Sequence, residues 1–273
     1  MKNVKEYKKN KLKKFLQFVD QIIFFNILKK LNDKFFLFYL FFIKKNLFFL
    51  NANKKYDHKN IYYFNNFKNN LSVLCEKYGS DKGYSDFNKD TPYSWKAHSY
   101  TNLYYNLFNH CKDEIKLVFE CGIGTNNINI PSNMTSEGKP GASLRVWKDY
   151  FINSEVYGAD IDKNILFEED RIKTFYVDQS NEDSIKKLWS NINKNNFDLI
   201  IDDGLHSFEA GITMFINSFN KLRKNGIYII EDVHFSYIDK LIKSLSEYDP
   251  ETIILKSNYT KKIDSNLIII RKS

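Results

Sequence analysis

From residue 117 onward the chain alternates short apolar runs with longer amphipathic stretches. Short runs rich in β-branched and aromatic residues read as strands buried on both faces, and the amphipathic stretches between them read as the helices that cover those faces. The pattern predicts strands near residues 117–121, 155–160, 173–177, 197–201, 226–230, 252–256 and 266–270. It predicts helices over about 143–152, 182–192, 207–223 and 236–247, with Gly226 in the turn after the third. Strands and helices in alternation define a doubly wound α/β domain with a seven-stranded, Rossmann-like sheet. Such sheets bind ligands at the carboxyl ends of their strands, so the residues just after each apolar run are where chemistry is sought.

Residues 1–50 have a different texture. Lys clusters alternate with Phe, Leu and Ile clusters, and Leu12, Phe15, Phe18, Ile22 and Phe25 recur at near-helical spacing, which predicts one or two basic amphipathic helices. Two readings stand. One is a helix packed on the main domain or on a second subunit of a homo-oligomer; the other is a peripheral membrane contact in which lysines meet anionic headgroups. Residues 51–70, rich in Asn, Lys and Tyr without a stable period, read as a linker, so the chain divides into an extension over 1–70 and an α/β domain over 71–273. The longest uninterrupted apolar run, Phe35 to Ile43, is closed by Lys44 and Lys45, and its nine residues fall well short of a bilayer span. No transmembrane helix is predicted. The Lys-rich chain before that run and the lack of a small-residue cleavage site after it argue against a secretory signal.

Charge changes the picture less than its total implies. The formal net charge is +8, but residues 1–60 hold 15 Lys/Arg against four Asp/Glu, leaving 26 against 29 for the remainder. The basic balance belongs to the extension, so a nucleic-acid partner for the α/β domain is disfavoured. Cys75, Cys111 and Cys121 form no C-x-x-C pair and no His/Cys cluster, which suggests neither disulfides nor zinc. A cytoplasmic location is the expectation, with membrane association through residues 1–50 left open.

The strand ends carry the candidate chemistry. The first strand ends as LVFECGIGT, placing Glu120, Gly122 and Gly124 in a turn where missing side chains let backbone approach a nucleotide. Asn127 stands where a dinucleotide fingerprint wants a third glycine, and a P-loop Gly-Lys-Ser/Thr is absent, so the acidic E-x-G-x-G form points to a nucleoside without a pyrophosphate. The second strand, EVYGADID, ends on Asp160, suited to both ribose hydroxyls, and on Asp162. The third, TFYVDQS, ends on Asp178 and Gln179, suited to an adenine edge, although Asp178 alone reads equally as a helix N-cap. The fourth, FDLIIDDGLH, brings Asp202, Asp203 and His206 to the same rim, and the fifth, GIYIIEDVH, brings Glu231 and Asp232. Carboxylates this dense repel one another unless a cation lies between them, and hard oxygen donors suit magnesium or calcium. A divalent metal held by Asp203, Glu231 and Asp232 is inferred, with His206 close enough to accept a proton. Helix capping remains the plainer reading for each carboxylate taken singly.

Together these motifs resemble a known group, the metal-dependent sugar O-methyltransferases of macrolide biosynthesis. The resemblance covers about residues 74–237 and rests on YGSDKG at 78–83, HSYTNLY at 98–104, the ECGIG turn, PGASLRVWKDYF at 140–151, GADID, VDQS, IIDDGLH and GIYIIEDVH. It implies a class I methyltransferase fold and S-adenosylmethionine as cofactor, bound by Glu120, Gly122, Gly124, Asp160, Asp178, Gln179 and Asp202. It further implies magnesium on Asp203, Glu231 and Asp232, with His206 as catalytic base. The macrolide enzymes carry a longer auxiliary domain where this chain has its basic segment, so the resemblance leaves the acceptor open. Related sequences in surface-polysaccharide gene clusters make a glycan precursor one acceptor class and a natural-product glycoside the other. The acceptor lining is expected from residues 80–104 and 126–141. A non-catalytic partner-binding module and an RNA methyltransferase are the rival readings. Retention of Asp203, His206, Glu231 and Asp232 weighs against the first, and the charge distribution against the second.

Overall fold

The computed structural model describes residues 68–86, 90–254 and 266–273. The expected helices of residues 1–50, and with them the membrane and oligomer readings, lie outside the described residues. No helix among the described residues is long and apolar enough to cross a membrane.

The described part opens with α1 (Asn70–Tyr78) and α2 (Tyr100–Phe108). There follow β1 (Leu117–Cys121), α3 (Ala142–Tyr150), β2 (Glu155–Asp160), β3 (Glu168–Glu169), β4 (Ile172–Tyr176), α4 (Glu182–Ile192) and β5 (Phe197–Asp202). The last elements are α5 (Phe208–Ser218), β6 (Leu222–Ile230), α6 (Ile238–Ser244), β7 (Glu251–Ile254) and β8 (Asn266–Arg271). The strands form one sheet in the order β3-β4-β2-β1-β5-β6-β8-β7. β4, β2, β1, β5 and β6 run parallel, while β8 is antiparallel to β6, β7 to β8, and β3 to β4. The seven expected strands are present. The eighth, β3, is two exposed glutamates paired with β4, and it carries no apolar run from which to read it.

Strand periodicity sorts the core into two layers. Val118, Leu199, Ile201 and Ile229 face a cluster built from α1, α2 and α3, including Leu71, Tyr104 and Trp147. Their neighbours Phe119, Ile200, Tyr228 and Ile230 face a second cluster built from α4, α5 and α6, including Trp189, Phe215 and Leu241. Alternation on a two-residue period buries both faces of every central strand, which is why these strands read as continuous apolar runs. The second layer is dense in rings: Phe197 meets Trp189 edge-on at 5.4 Å and Tyr157 at 5.7 Å, and Phe119 tilts on Trp189 at 4.7 Å.

The boundaries around β6 differ from the sequence reading. The helix expected over 207–223 ends at Ser218 and closes in a short 3-10 turn, Phe219–Lys221. Strand β6 therefore begins four residues before Gly226, which sits inside the strand and not in the turn preceding it. The pairing of β5 with β6 shifts register between Phe197 and Leu199, Asn225 has φ +61°, and a Cβ at Gly226 would approach the Arg223 and Phe197 carbonyl oxygens to 2.9 Å. The glycine marks a bulge. Helices α1 and α2 had no counterpart in the periodicity. Asn69 and Ser72 close a reciprocal capping box on α1, and Gly79, at φ +79°, terminates it.

Replacing Phe197 by Ala is expected to cost about 3–5 kcal/mol of unfolding free energy, the usual range for an aromatic side chain removed from a close-packed layer. Urea denaturation followed by circular dichroism measures it; a loss below about 1 kcal/mol would contradict the described packing.

Candidate active site

The sheet changes winding direction between β1 and β5, and the parallel register brings Cys121 level with Ala159 and Asp202. The turns that follow therefore meet at one height. Gly122 and Gly124 have φ of +85° and +81°. At Gly122 a Cβ would stand 2.1 Å from the Asp203 carbonyl oxygen, so only glycine lets the β1 turn lie against the β5 turn. Asp203 N–H in turn donates to the Cys121 carbonyl at 2.9 Å.

Asp160 receives the backbone N–H groups of Ile123 and Asp162, both at 2.9 Å. Burial pushes its carboxyl up, against the pull of those donors. Asp162 accepts from Thr125 Oγ1 at 2.5 Å and caps a short 3-10 turn. Asp178 accepts from the Ser180 N–H and hydroxyl, and the N-cap of α4 is Asn181, so Asp178 does not cap that helix. Gln179 donates to Asp202 Oδ1 and accepts from Leu205 N–H at 2.8 Å. Asp202 is buried, and its carboxyl is raised by that burial to about 7.

At the ends of β5 and β6 the acidic residues surround a lysine the sequence reading did not single out. Lys82 Nζ stands 2.6 Å from Asp203 Oδ2 and 3.0 Å from Glu120 Oε1, and it donates to Glu231 Oε2. Burial works against its charge, but the three carboxylates hold the ammonium well above its usual range. Tyr104 OH donates to the other oxygen of Glu231, and Trp147 Nε1 donates to Glu120 Oε2 at 2.7 Å. Burial pushes both glutamates up, opposed by Lys82. Tyr100 OH donates to Asp232 Oδ1, with His98 Nδ1 3.6 Å from the same oxygen. His206 Nε2 lies 3.2 Å from Asp203 Oδ1. Burial alone would depress the imidazole pKa, but the Asp203 hydrogen bond and the charges of Asp232, Asp203 and Asp202 raise it to about 9. Burial likewise opposes ionisation of Asp203, yet Lys82 and His206 hold it well below the carboxylate range. His206 and Asp232 both adopt left-handed backbone, at φ +54° and +50°, and Tyr237 OH fixes the His206 carbonyl at 2.5 Å. Backbone held in that region by its surroundings is a mark of functional sites.

One cleft, enclosing about 1160 Å³ of empty space with its open mouth, is lined by Gly122, Gly124, Asp160, Asp178, Gln179, Asp203, His206, Glu231 and Asp232. Glu120 and Asp202 do not line it; both are buried, the first on Lys82 and Trp147 and the second on Gln179. Both stretches expected for the acceptor contribute, through Lys82, Trp95, His98 and Tyr100 on one side and Ile130, Pro131 and Met134 on the other. Asp203, His206 and Asp232 each offer an atom within 4.8 Å of the others, whereas Glu231 is turned to Lys82 and Tyr104. The two carboxylates at that separation fit a divalent ion such as magnesium or manganese, with the imidazole beside them. Sequence reasoning missed Lys82, His98, Tyr100, Tyr104 and Trp147. Their motifs, YGSDKG, HSYTNLY and PGASLRVWKDYF, were visible, but their partners were not.

The sheet order, its glycine turn and the acidic rim define a Rossmann-like class I methyltransferase fold. The MycE methyltransferase of the mycinamycin biosynthetic pathway, solved in complex with Mg and SAH, superposes with a TM-score of 0.54 at 24% identity, covering 76% of this chain and 56% of its own. Among curated proteins the chain is similar to the 8-demethyl-8-α-L-rhamnosyl tetracenomycin-C 2'-O-methyltransferase of Streptomyces olivaceus. The two are 33% identical over 167 residues, 61% of this chain and 38% of the relative. It is also similar to the demethylmacrocin O-methyltransferase of Streptomyces fradiae (33% over 147 residues, 54% and 35%) and to the mycinamicin VI 2''-O-methyltransferase of Micromonospora griseorubida (30% over 147 residues, 54% and 34%). These relatives are sugar O-methyltransferases, the group the motifs resemble, and the matched region spans little more than a third of their length. No family model matches the chain.

Trp147→Phe removes the donor to Glu120 while keeping most of the packing. It is expected to cost about 1–3 kcal/mol in urea unfolding, the penalty of a buried acceptor left without its partner; no measurable loss would contradict the Glu120 arrangement.

Proposed function

We propose that this domain is an S-adenosylmethionine-dependent O-methyltransferase acting on a hydroxyl of a sugar, in a small glycoside or a nucleotide-linked glycan precursor. The observation that carries the reading is that one cleft is lined both by the nucleoside-type turn, Gly122, Gly124 and Asp160, and by the Asp203, His206 and Asp232 group. The likeness to curated sugar O-methyltransferases supports the same reading. With an acidic balance outside residues 1–60, nothing in the charge favours RNA as acceptor.

In this mechanism Asp160 takes the ribose hydroxyls, and Asp178 and Gln179 stand at the adenine edge. Gly122 and Gly124 leave room for the methionine portion. Asp203 and Asp232 would hold the divalent ion, with Glu231 kept beside them by Lys82 and Tyr104. When bound, that ion lowers the pKa of an acceptor hydroxyl. The Asp203 hydrogen bond orients His206 and, with the charges of Asp232, Asp203 and Asp202, raises its imidazole pKa, and His206 is the side chain placed to accept the acceptor's proton. The imidazole then takes the hydroxyl proton as the oxygen–carbon bond forms and the carbon–sulfur bond breaks, releasing S-adenosylhomocysteine. The cleft supplies alignment of donor and acceptor.

The test separates cofactor binding from turnover. Asp160→Ala is expected to weaken S-adenosylhomocysteine binding about tenfold or more by calorimetry. His206→Ala is expected to keep that affinity within about threefold while lowering methyl transfer to a panel of glycosides and nucleotide sugars by about a hundredfold or more. Equal loss of binding and turnover in His206→Ala would count against its role as base.

A further inference from the structure

Lys82 is the buried cation to which this chemistry gives no role beyond holding Glu231. Its side chain is 4% exposed, and its ammonium contacts carboxylates from three different strand ends, Glu120, Asp203 and Glu231. The backbone beneath it is fixed. Thr101 N–H donates to the Lys82 carbonyl at 3.2 Å, and His98 N–H donates to the Asp81 carbonyl at 2.7 Å. The Trp95 indole donates to Asp81 Oδ2 at 2.7 Å, and a Cβ at Gly83 would stand 2.2 Å from the Thr101 hydroxyl. The lysine cannot leave without stranding Glu120, which is fully buried and has only Trp147 besides. Lys82 takes Asp203 by Oδ2, and Tyr104 and Lys82 between them occupy both oxygens of Glu231. The face left open is Asp203 Oδ1 with His206 and Asp232.

We infer that Lys82 is a positioning residue, a resident cation that offsets the charge of Glu120 and Glu231, fixes Asp203, and thereby sets how tightly the acidic group at these strand ends binds a divalent ion. The inference rests on the metal-assisted reading of the same site. A monocation held in the cluster repels an incoming dication and cancels part of the charge that attracts it, and both effects are strong where water is excluded. Removing the ammonium leaves a cluster that is more repulsive when empty and more attractive to a dication.

The experiment uses the full chain, titrated calorimetrically with MnCl2 and melted in EDTA. It compares wild type, Lys82→Met, Glu231→Gln and the double variant. Lys82→Met is expected to melt several degrees lower in EDTA, to recover on adding manganese, and to bind manganese about tenfold or more tightly than wild type. Should Lys82→Met fail to fold without metal, the same gain is expected when Lys82→Met is added to Glu231→Gln, where the pair's charges are removed together. A wild type that binds no manganese beside a Lys82→Met that does also supports the inference. Manganese affinity unchanged or weaker on removing Lys82, in either background, overturns it while leaving the metal-assisted reading intact. Failure of the wild type and all variants to bind manganese overturns both.

Discussion

The ends of β1, β5 and β6 are held together by one buried ammonium group. Glu120, Asp203 and Glu231 converge from three strands that the parallel register forces to end at the same height, and carboxylates so placed repel unless a cation lies among them. Lys82 answers that constraint from outside the sheet, on the segment that follows α1. Much of the surrounding structure is the consequence. Tyr104 and Trp147, from the two helices stacked on that face, spend their polar atoms on Glu231 and Glu120, while their rings pack 4.9 Å apart in the same layer. The α1 to α3 layer therefore serves both as core and as the wall that keeps water from the carboxylates. A buried charge network of this kind contributes little net stability, but loss of any one member leaves the others unpaired.

That network divides the acidic rim into two parts with different exposure. Glu231 accepts from Lys82 and Tyr104, and Glu120 accepts from Trp147 and pairs with the Lys82 ammonium. Asp203 and Asp232, about a fifth exposed in their side chains, turn to His206, Tyr100 and the cleft. The nucleoside turn sits on the same cleft because Gly122 and Asp203 touch backbone to backbone, so any shift of the β1 turn moves the acidic group with it. The glycine turn and the acidic group are thus joined backbone to backbone, the arrangement the proposed transfer needs to align a methyl donor with a hydroxyl.

The sheet was legible because its central strands are buried on both faces and read as unbroken apolar runs. Helix α4 was legible to the residue, bounded by Asn181, whose side chain caps it, and by Asn193, whose left-handed backbone ends it. Helix α2 was not: Tyr100 through Tyr104 are all buried, the polar Thr101 and Asn102 among them, so its buried face is not marked by apolar residues alone. The two-residue strand β3 has no apolar signal at all, and Gly226 took its meaning from a bulge that exists only once Phe197 pairs with Leu222. On the site, the acidic rim and His206 could be named from strand ends alone. Lys82 could not, because two of its partners lie 121 and 149 positions away and a lysine in a loop carries no sign of burial. The contacts of Glu231 with Lys82 and Tyr104, which set it apart from Asp203 and Asp232, were hidden for the same reason.

The central claim is that the cofactor wall and the acidic group form one working site. It is tested most directly by titrating the protein with S-adenosylmethionine, with and without magnesium, beside the Asp203→Ala variant. The account predicts saturable S-adenosylmethionine binding in both proteins and magnesium binding in the wild type that Asp203→Ala loses. Absence of S-adenosylmethionine binding under every condition would contradict it, as would magnesium binding indifferent to Asp203.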